Sequence, residues 1–348
     1  MIEWEHLSNV LVIPKRKGDV MAKIKAALLG YGTVGQGVYT ALKTHRQRLK
    51  GLLGEEVEIV GVLIKDPHKR RDIDSNIFIT TEFKDILKIP GLQVIFEAIV
   101  GEEPGYTYLR RAIEKGIQVI TANKVMFARY GKELLQKGKE YDVSVRYEAT
   151  TAGGVPIIRT LKQILQVNKI ERIQGILNGT SNFILTEMRN NEISFDEALK
   201  LAQRNGYAEE NPTSDISGKD AFCKTMILSE LAFGKQPIWS EVELQGITAI
   251  TSEQVKQASQ RNLKYKHIAD IYQENGDLKA SVKPILIEES HPLYSVDGVD
   301  NAITVEASLL GRFTLIGPGA GKLPTASAMV EDLADIYTVK NRQLQLSI

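Results

Sequence analysis

The chain has 348 residues, 43% hydrophobic and 25% charged, an ordinary globular composition with enough apolar material for two domains. Forty-four Lys and Arg against forty-three Asp and Glu leave a formal charge of +1, which excludes a chain-wide electrostatic footprint for nucleic acid or an acidic membrane. A single cysteine, Cys223, excludes an internal disulfide and a Cys-based zinc cage and fits a reducing cytoplasm, and no apolar run approaches the roughly 20 residues that cross a bilayer.

Residues 1–22 carry Glu3 and Glu5 where a secretory signal is basic, and their apolar stretch, Val10–Ile13, is too short for one. They read as a flexible extension, with Met21 as a second start for translation. Ile24–Leu29 then reads as a strand, followed by Gly30-Tyr-Gly32-Thr-Val-Gly35 and a helical pattern through Val38, Leu42 and Leu49. In that strand-to-helix setting the glycines have separate tasks. Gly30 permits the tight turn, Gly32 lets a pyrophosphate approach the backbone, and Gly35 lets the helix pack closely, with the helix N-terminus facing negative charge.

The second strand, Val57–Ile64, ends not on an acidic residue but on Lys65, followed by Asp66, Pro67, His68, Lys69, Arg70 and Arg71. An acidic residue there would take the ribose hydroxyls of NAD, whereas this run of cations suits a 2′-phosphate. The expected cofactor is therefore NADP, with NAD left open because Asp66 could turn inward. Strands at Asn76–Thr80, Val94–Ile99, Ile117–Ile120 and Val143–Tyr147 alternate with helices at Phe83–Leu87, Pro104–Lys115 and Lys132–Tyr141. This rhythm implies a doubly wound parallel sheet with ligands at the carboxyl ends of its strands. Thr121-Ala-Asn-Lys124 occupies such an end, which makes Lys124 a candidate site residue.

In the second half, Pro156 starts a helix through Leu165, and the strand Ile170–Leu177 ends in Asn178-Gly-Thr-Ser-Asn182, read locally as a turn of small polar residues. Ser194 and Glu197 form a capping box for a helix over Phe195–Asn205, stopped by Gly206. Tyr207-Ala-Glu209-Glu210 leads into Asp215-Ile-Ser-Gly-Lys-Asp220-Ala-Phe-Cys-Lys224. A helix starting at Ser217 or Gly218 puts Asp220 and Lys224 on one face with Ile227, Leu228 and Leu231. A carboxylate and an ammonium then lie at the edge of an apolar stripe, where desolvation tunes a lysine for proton transfer. Glu209, Asp215 and Asp220 crowd this one lysine and suit a substrate ammonium. Strands follow at Tyr265–Tyr272, Leu278–Ile287 after an Asn275-Gly276 hairpin signal, Asn301–Glu306 and Arg312–Ile316, then Gly317-Pro-Gly-Ala-Gly321 and a helix over Thr325–Tyr337.

Over about residues 24–336 these features resemble homoserine dehydrogenase in its short form. The motifs that carry the resemblance are Gly-Tyr-Gly-Thr-Val-Gly at 30–35, Thr-Ala-Asn-Lys at 121–124, Ala-Gly-Gly-Val-Pro at 152–156, Gly-Ile-Leu-Asn-Gly-Thr-Ser-Asn at 175–182, Gly-Tyr-Ala-Glu at 206–209, Asp-x-x-Gly-x-Asp-x-x-x-Lys at 215–224 and Gly-Pro-Gly-Ala-Gly at 317–321. The resemblance implies an α/β fold: a Rossmann-type doubly wound sheet (23–148), an α+β catalytic and dimerisation domain (149–310) and a C-terminal segment (311–348) returning to the first. It implies NAD(P)-dependent interconversion of homoserine and aspartate 4-semialdehyde in threonine and methionine biosynthesis, by a cytoplasmic homodimer. Lys224 becomes the proton donor or base and Lys124 its neighbour. Glu209, Asp215, Asp220, Thr180 and Tyr207 hold the substrate, and Gly30, Gly32, Thr33, Val34, Gly35, Lys65, Lys124, Gly179, Gly206 and Gly321 meet the cofactor. A monovalent cation, sodium, is implied at Glu148, Thr151, Gly153 and Val155. No effector domain and no threonine feedback are expected. The alternatives are another two-domain amino-acid dehydrogenase, or a non-catalytic NADP-binding redox sensor.

Overall fold

The structure, a computed structural model, describes residues 23–346, with side chains as far as residue 338; the expected extension 1–22 and the start at Met21 lie outside the described residues. The chain opens with β1 (Lys23–Leu29), α1 (Thr33–Thr44), α2 (Arg46–Leu53), β2 (Glu56–Leu63), β3 (Phe78–Thr80), α3 (Phe83–Ile86), β4 (Leu92–Glu97), α4 (Gly105–Ile113), β5 (Gln118–Thr121), α5 (Lys124–Glu140) and β6 (Val145–Arg146). These six strands form one parallel sheet in the order β3-β2-β1-β4-β5-β6. Strand side chains alternate between faces, so β1 feeds two cores. Ala27 and Leu29 join Leu63, Phe83, Leu109 and Ile113 on one side, while Ile24, Ala26 and Leu28 join Val38, Tyr39 and Leu42 on the other.

The chain continues through α6 (Ile157–Ile164), β7 (Ile170–Ile176), α7 (Gly179–Asn190), α8 (Phe195–Arg204), α9 (Thr213–Ile216), α10 (Lys219–Phe233), β8 (Glu243–Leu244), α11 (Ser252–Gln260), β9 (Lys264–Glu274), β10 (Asp277–Ile287), β11 (Asp300–Ala307), β12 (Gly311–Pro318) and α12 (Lys322–Leu346). A second, mixed sheet has the order β12-β11-β7-β9-β10-β8. Asn275 (φ 53°) and Gly276 (φ 89°) both take the left-handed conformation that a two-residue hairpin between β9 and β10 requires. Pro284 is tolerated within β10 because only the two-residue β8 pairs with its outer edge among the described residues. No helix among the described residues is long and apolar enough to cross a membrane.

Three elements differ from the sequence reading. The helix expected from Lys132 already begins at Lys124, because the Asn123 side chain accepts the amide of Met126 and caps it there. Asn178 likewise accepts the amide of Ser181, so the apparent turn Asn178–Asn182 is the first turn of α7. β12, inside the segment expected to return to the first half, pairs with β11 along its whole length; the return is made by α12 alone.

That return depends on close helix packing. Ala326, Met329 and Leu333 of α12 bury against the core of α1, and a methyl group at Gly37 would run into the carbonyl of Lys322. Gly37→Ala is expected to destabilise the protein by about 1–3 kcal/mol through this overpacking. Denaturant titration checks it: an unchanged midpoint would mean that α12 does not bear on α1.

Candidate active site

At the first strand-to-helix turn, Gly30 (φ 93°) donates its amide to the carbonyl of Leu63 at 3.0 Å, and a Cβ on Gly35 would collide with the Gly30 carbonyl. Gly32 precedes α1 without any side-chain cap, and a Cβ built on it meets nothing within 4 Å. The free amides at the start of α1, including those of Thr33 and Val34, thus face open space, the geometry that a pyrophosphate needs. This cradle fits a dinucleotide. Beyond β2, Lys65 is exposed, and Asp66 is occupied locally by the amide of His68 at 2.8 Å.

The chemistry-bearing side chains gather where α5, α7 and α10 meet. Asp220, on the first turn of α10, is 5% exposed and accepts from Lys224 Nζ at 2.7 Å, from Asn178 Nδ2 at 2.9 Å and, through its other oxygen, from Lys124 Nζ at 3.0 Å. Burial alone would push this carboxyl up, but the Lys224 and Lys124 ammoniums together hold it well below the usual carboxylate range. In return the charge of Asp220 raises the pKa of Lys124. Lys224 Nζ also donates to the carbonyl of Leu177 at 2.6 Å, so two of its three N–H bonds are fixed from separate elements.

Asn178 bridges two carboxylates, donating to Asp215 at 2.8 Å as well as to Asp220. Asp215 is pushed up, first by burial and then by the charge of Asp220. Thr180 donates to the carbonyl of Tyr207 at 2.7 Å, and Ser181 to that of Asp215 at 2.9 Å, which ties the segment before α10 to α7.

Of the residues singled out in the sequence, Lys124, Lys224, Asp215 and Asp220 therefore lie in one connected network. Thr180, Tyr207 and Glu209 do not join it: Thr180 bonds to the Tyr207 carbonyl, Tyr207 is 44% exposed and edge-on to Phe183, and Glu209 is exposed, with its backbone carbonyl accepting from Gln203 Nε2 at 3.2 Å. Gly206 (φ 75°) terminates α8, and Gly179 packs on the backbone of Val299. Gly321 (φ 118°) precedes α12. Cys223 is half-buried, and burial pushes its thiol up to about 11, which makes it an inert filler rather than a reactive group.

Near the junction of the halves, Glu148 is 3% exposed, and its two oxygens accept the amides of Ile158 (2.9 Å) and Arg159 (2.8 Å) at the start of α6. Its own amide donates to Asp332 at 2.9 Å. Burial raises both carboxyls, Asp332 to about 7. Thr151, Gly153 and Val155 follow in a buried turn in which Ala152 and Gly153 are both left-handed. Both oxygens of Glu148 are thus taken by amides of α6, and among the described residues no group of three or more His, Cys, Asp or Glu side chains could hold a metal ion.

Two roles were not read from the sequence. Asn178, expected in a polar loop beside the ligands, bridges two carboxylates. Glu97 is wholly buried at the end of β4, where it accepts from Thr121 Oγ1 at 2.5 Å and from the amide of Ile99 at 2.7 Å. Its signal was available as a lone carboxylate in the otherwise apolar run Val94–Ile99.

Sequence models described as "Homoserine dehydrogenase" and "Homoserine dehydrogenase, NAD binding domain" match residues 156–334 and 30–148. The chain is 39% identical over 325 residues to the homoserine dehydrogenase of Bacillus subtilis, covering 93% of this chain and 75% of that one. It is 32% identical to the NAD(+)-dependent homoserine dehydrogenase of Pseudomonas canavaninivorans, covering 93% and 99%. The solved structure of the homoserine dehydrogenase from Thiobacillus denitrificans superposes with a TM-score of 0.87 at 38% identity, covering 92% and 75%. With a dinucleotide cradle in one half and a buried lysine–carboxylate network at the edge of the other, the chain belongs to the homoserine dehydrogenase family, the NAD(P)-dependent oxidoreductases acting on a CH–OH group.

Proposed function

We propose that the Lys224–Asp220–Lys124 network carries the proton chemistry of homoserine oxidation and aspartate 4-semialdehyde reduction. The observation that supports this is the pair of ammoniums on one buried carboxylate, each from a different helix. The nicotinamide cofactor supplies or takes the hydride. As hydride reaches the aldehyde carbon, its carbonyl bond becomes a C–O⁻ bond. Lys224 delivers a proton to that oxygen, and in the reverse direction takes it from the hydroxyl. Lys124 stands beside the same oxygen as a fixed positive charge. Asp215, joined to Asp220 by Asn178, receives the substrate ammonium, while the exposed Glu209 and Tyr207 lie where they meet the substrate only by moving inward. Positioned proton transfer of this kind is worth about 10²–10⁴-fold.

The cofactor is NADP in this reading, with NAD as the second choice. The exposed Lys65 and the basic residues after it favour a 2′-phosphate, while one oxygen of Asp66 is engaged by the amide of His68. A sodium ion held by Glu148 and the carbonyls of Thr151, Gly153 and Val155 would offset the two buried carboxylates at the junction.

Lys224→Ala is expected to lower kcat by about 10²–10⁴-fold, with binding of the reduced cofactor retained in a fluorescence titration. A variant that keeps full turnover rejects the assignment. Asp220→Asn is expected to move the alkaline limb of the pH–rate profile to lower pH, because the charge that raises the pKa of Lys124 is gone. An unmoved limb means that Lys124 does not titrate in the rate. Assayed with homoserine, NADP should exceed NAD in kcat/KM. Lys65→Ala should cost the NADP arm about tenfold, the loss of one charge-assisted contact, and spare the NAD arm. Replacing sodium by a bulky organic cation in that assay should lower the rate of the native enzyme but not of Glu148→Gln; equal rates in both salts remove the ion from the reading.

A further inference from the structure

Lys124 is the first residue of α5, so its position depends on how the helix is started. The start is built from side chains behind the strand ends. Asn123 caps the helix through the amide of Met126 at 3.1 Å and anchors its own Nδ2 on the carbonyl of Gly101 at 2.7 Å. The Asn123 amide donates to Thr121 Oγ1 at 3.0 Å. The same hydroxyl donates to Glu97 at 2.5 Å. Glu97 also accepts from the amide of Ile99 and, at 3.4 Å, from Asn123 Nδ2.

Glu97 is 0% exposed, and among the described residues none of the ion pairs includes it. It lies between Leu29 of β1 and Thr121 of β5, where the parallel sheet reverses its winding. A buried carboxylate without a cation is costly, and a glutamine or an apolar residue would fill the same strand position more cheaply. The backbone amide of Ile99, the side-chain amide of Asn123 and the Thr121 hydroxyl all donate to it, so a carboxylate that accepts through both oxygens satisfies all three, although burial pushes its pKa up to about 7. The first residue of α4 is a glycine whose Cβ would come within 3.0 Å of Asn123 Nδ2 and 3.4 Å of a Glu97 oxygen, so the network is also packed from the side.

We infer that Glu97 is a positioning residue for the reaction: through Thr121 and Asn123 it fixes the first turn of α5 and so holds Lys124 in its contact with Asp220. This rests on the role proposed for Lys124. The network acts on one reacting group, not on cofactor capture, which belongs to the glycine turn after β1.

The test measures kcat, KM and reduced-cofactor affinity at 25 °C for Glu97→Gln, Thr121→Val, Thr121→Ser, Lys124→Ala and the double variant Glu97→Gln/Lys124→Ala, beside melting curves. Glu97→Gln and Thr121→Val are expected to lower kcat about tenfold or more, with cofactor affinity changed less than about twofold. Thr121→Ser, which keeps the hydroxyl, should restore kcat to within about threefold of the native enzyme, and Glu97→Gln should add nothing to Lys124→Ala. Should Glu97→Gln fail to fold, the Thr121 pair decides alone. The inference is overturned if Thr121→Val and Glu97→Gln change only the melting temperature, if Thr121→Ser is as slow as Thr121→Val, or if Glu97→Gln slows Lys124→Ala by its full factor. A Lys124→Ala enzyme with native kcat instead removes the role of Lys124 itself, a separate failure.

Discussion

The Asp220 carboxylate is the constraint on which the site depends. A charge that is 5% exposed is tolerated only when paired, and removing one partner of such a pair typically costs about 3–5 kcal/mol. Its partners arrive from three places: Lys224 from the same helix, Asn178 from the start of α7, and Lys124 from the last βα turn of the nucleotide-binding sheet. Completing the ion network and closing the two halves on each other are therefore one event. A misplaced α5 would leave a half-neutralised carboxylate and an unpaired ammonium, so the penalty for misassembly falls on this network.

The two carboxylates joined by Asn178 are not equivalent. Asp220 faces two ammoniums and is held ionised, whereas Asp215 has one amide and a like charge beside it and is pushed up. In the proposed reading this asymmetry is useful. Asp220 is already matched by lysines, while Asp215 gains from the arrival of a positive group, which a substrate ammonium supplies. The ammonium then relieves the repulsion between the two carboxylates rather than competing with an existing ion pair.

Much of this was legible in the sequence for local reasons. The glycine turn after β1 announces itself because only glycine fits Gly30 and Gly35, and the Asp220/Lys224 pair because helical spacing puts both on one face. What escaped reading was set by tertiary partners. Asn178 and Asn123 are turn formers by propensity, and that they start helices depends on the residues stacked after them. The crowding of carboxylates around Lys224 was half right. Asp215 and Asp220 are in the network, but Glu209 sits beyond the αL stop at Gly206 on a loop directed to solvent. Proximity in sequence could not show this, because the carbonyls of the loop between Gly206 and Asp215 are held by side chains of α7 and α8, Thr180 and Gln203.

The C-terminal helix shows how the halves are held at the other end of their contact. α12 leaves the second sheet after β12, packs on α1, and presents Asp332 to the amide of Glu148. Glu148 in turn caps α6 with both carboxylate oxygens, and Arg159 on that helix reaches back to Asp335 at 3.1 Å. The hinge segment is thus bracketed by a carboxylate from each side, both raised by burial. Lys162 stands near them, its own pKa lowered first by burial and then by the charge of Arg146. The amides at the start of α6 need acceptors, and the hinge needs its backbone satisfied, so neither carboxylate can be dispensed with. With both acids tied to backbone amides and α12 laid against α1, the junction fixes how the two halves meet.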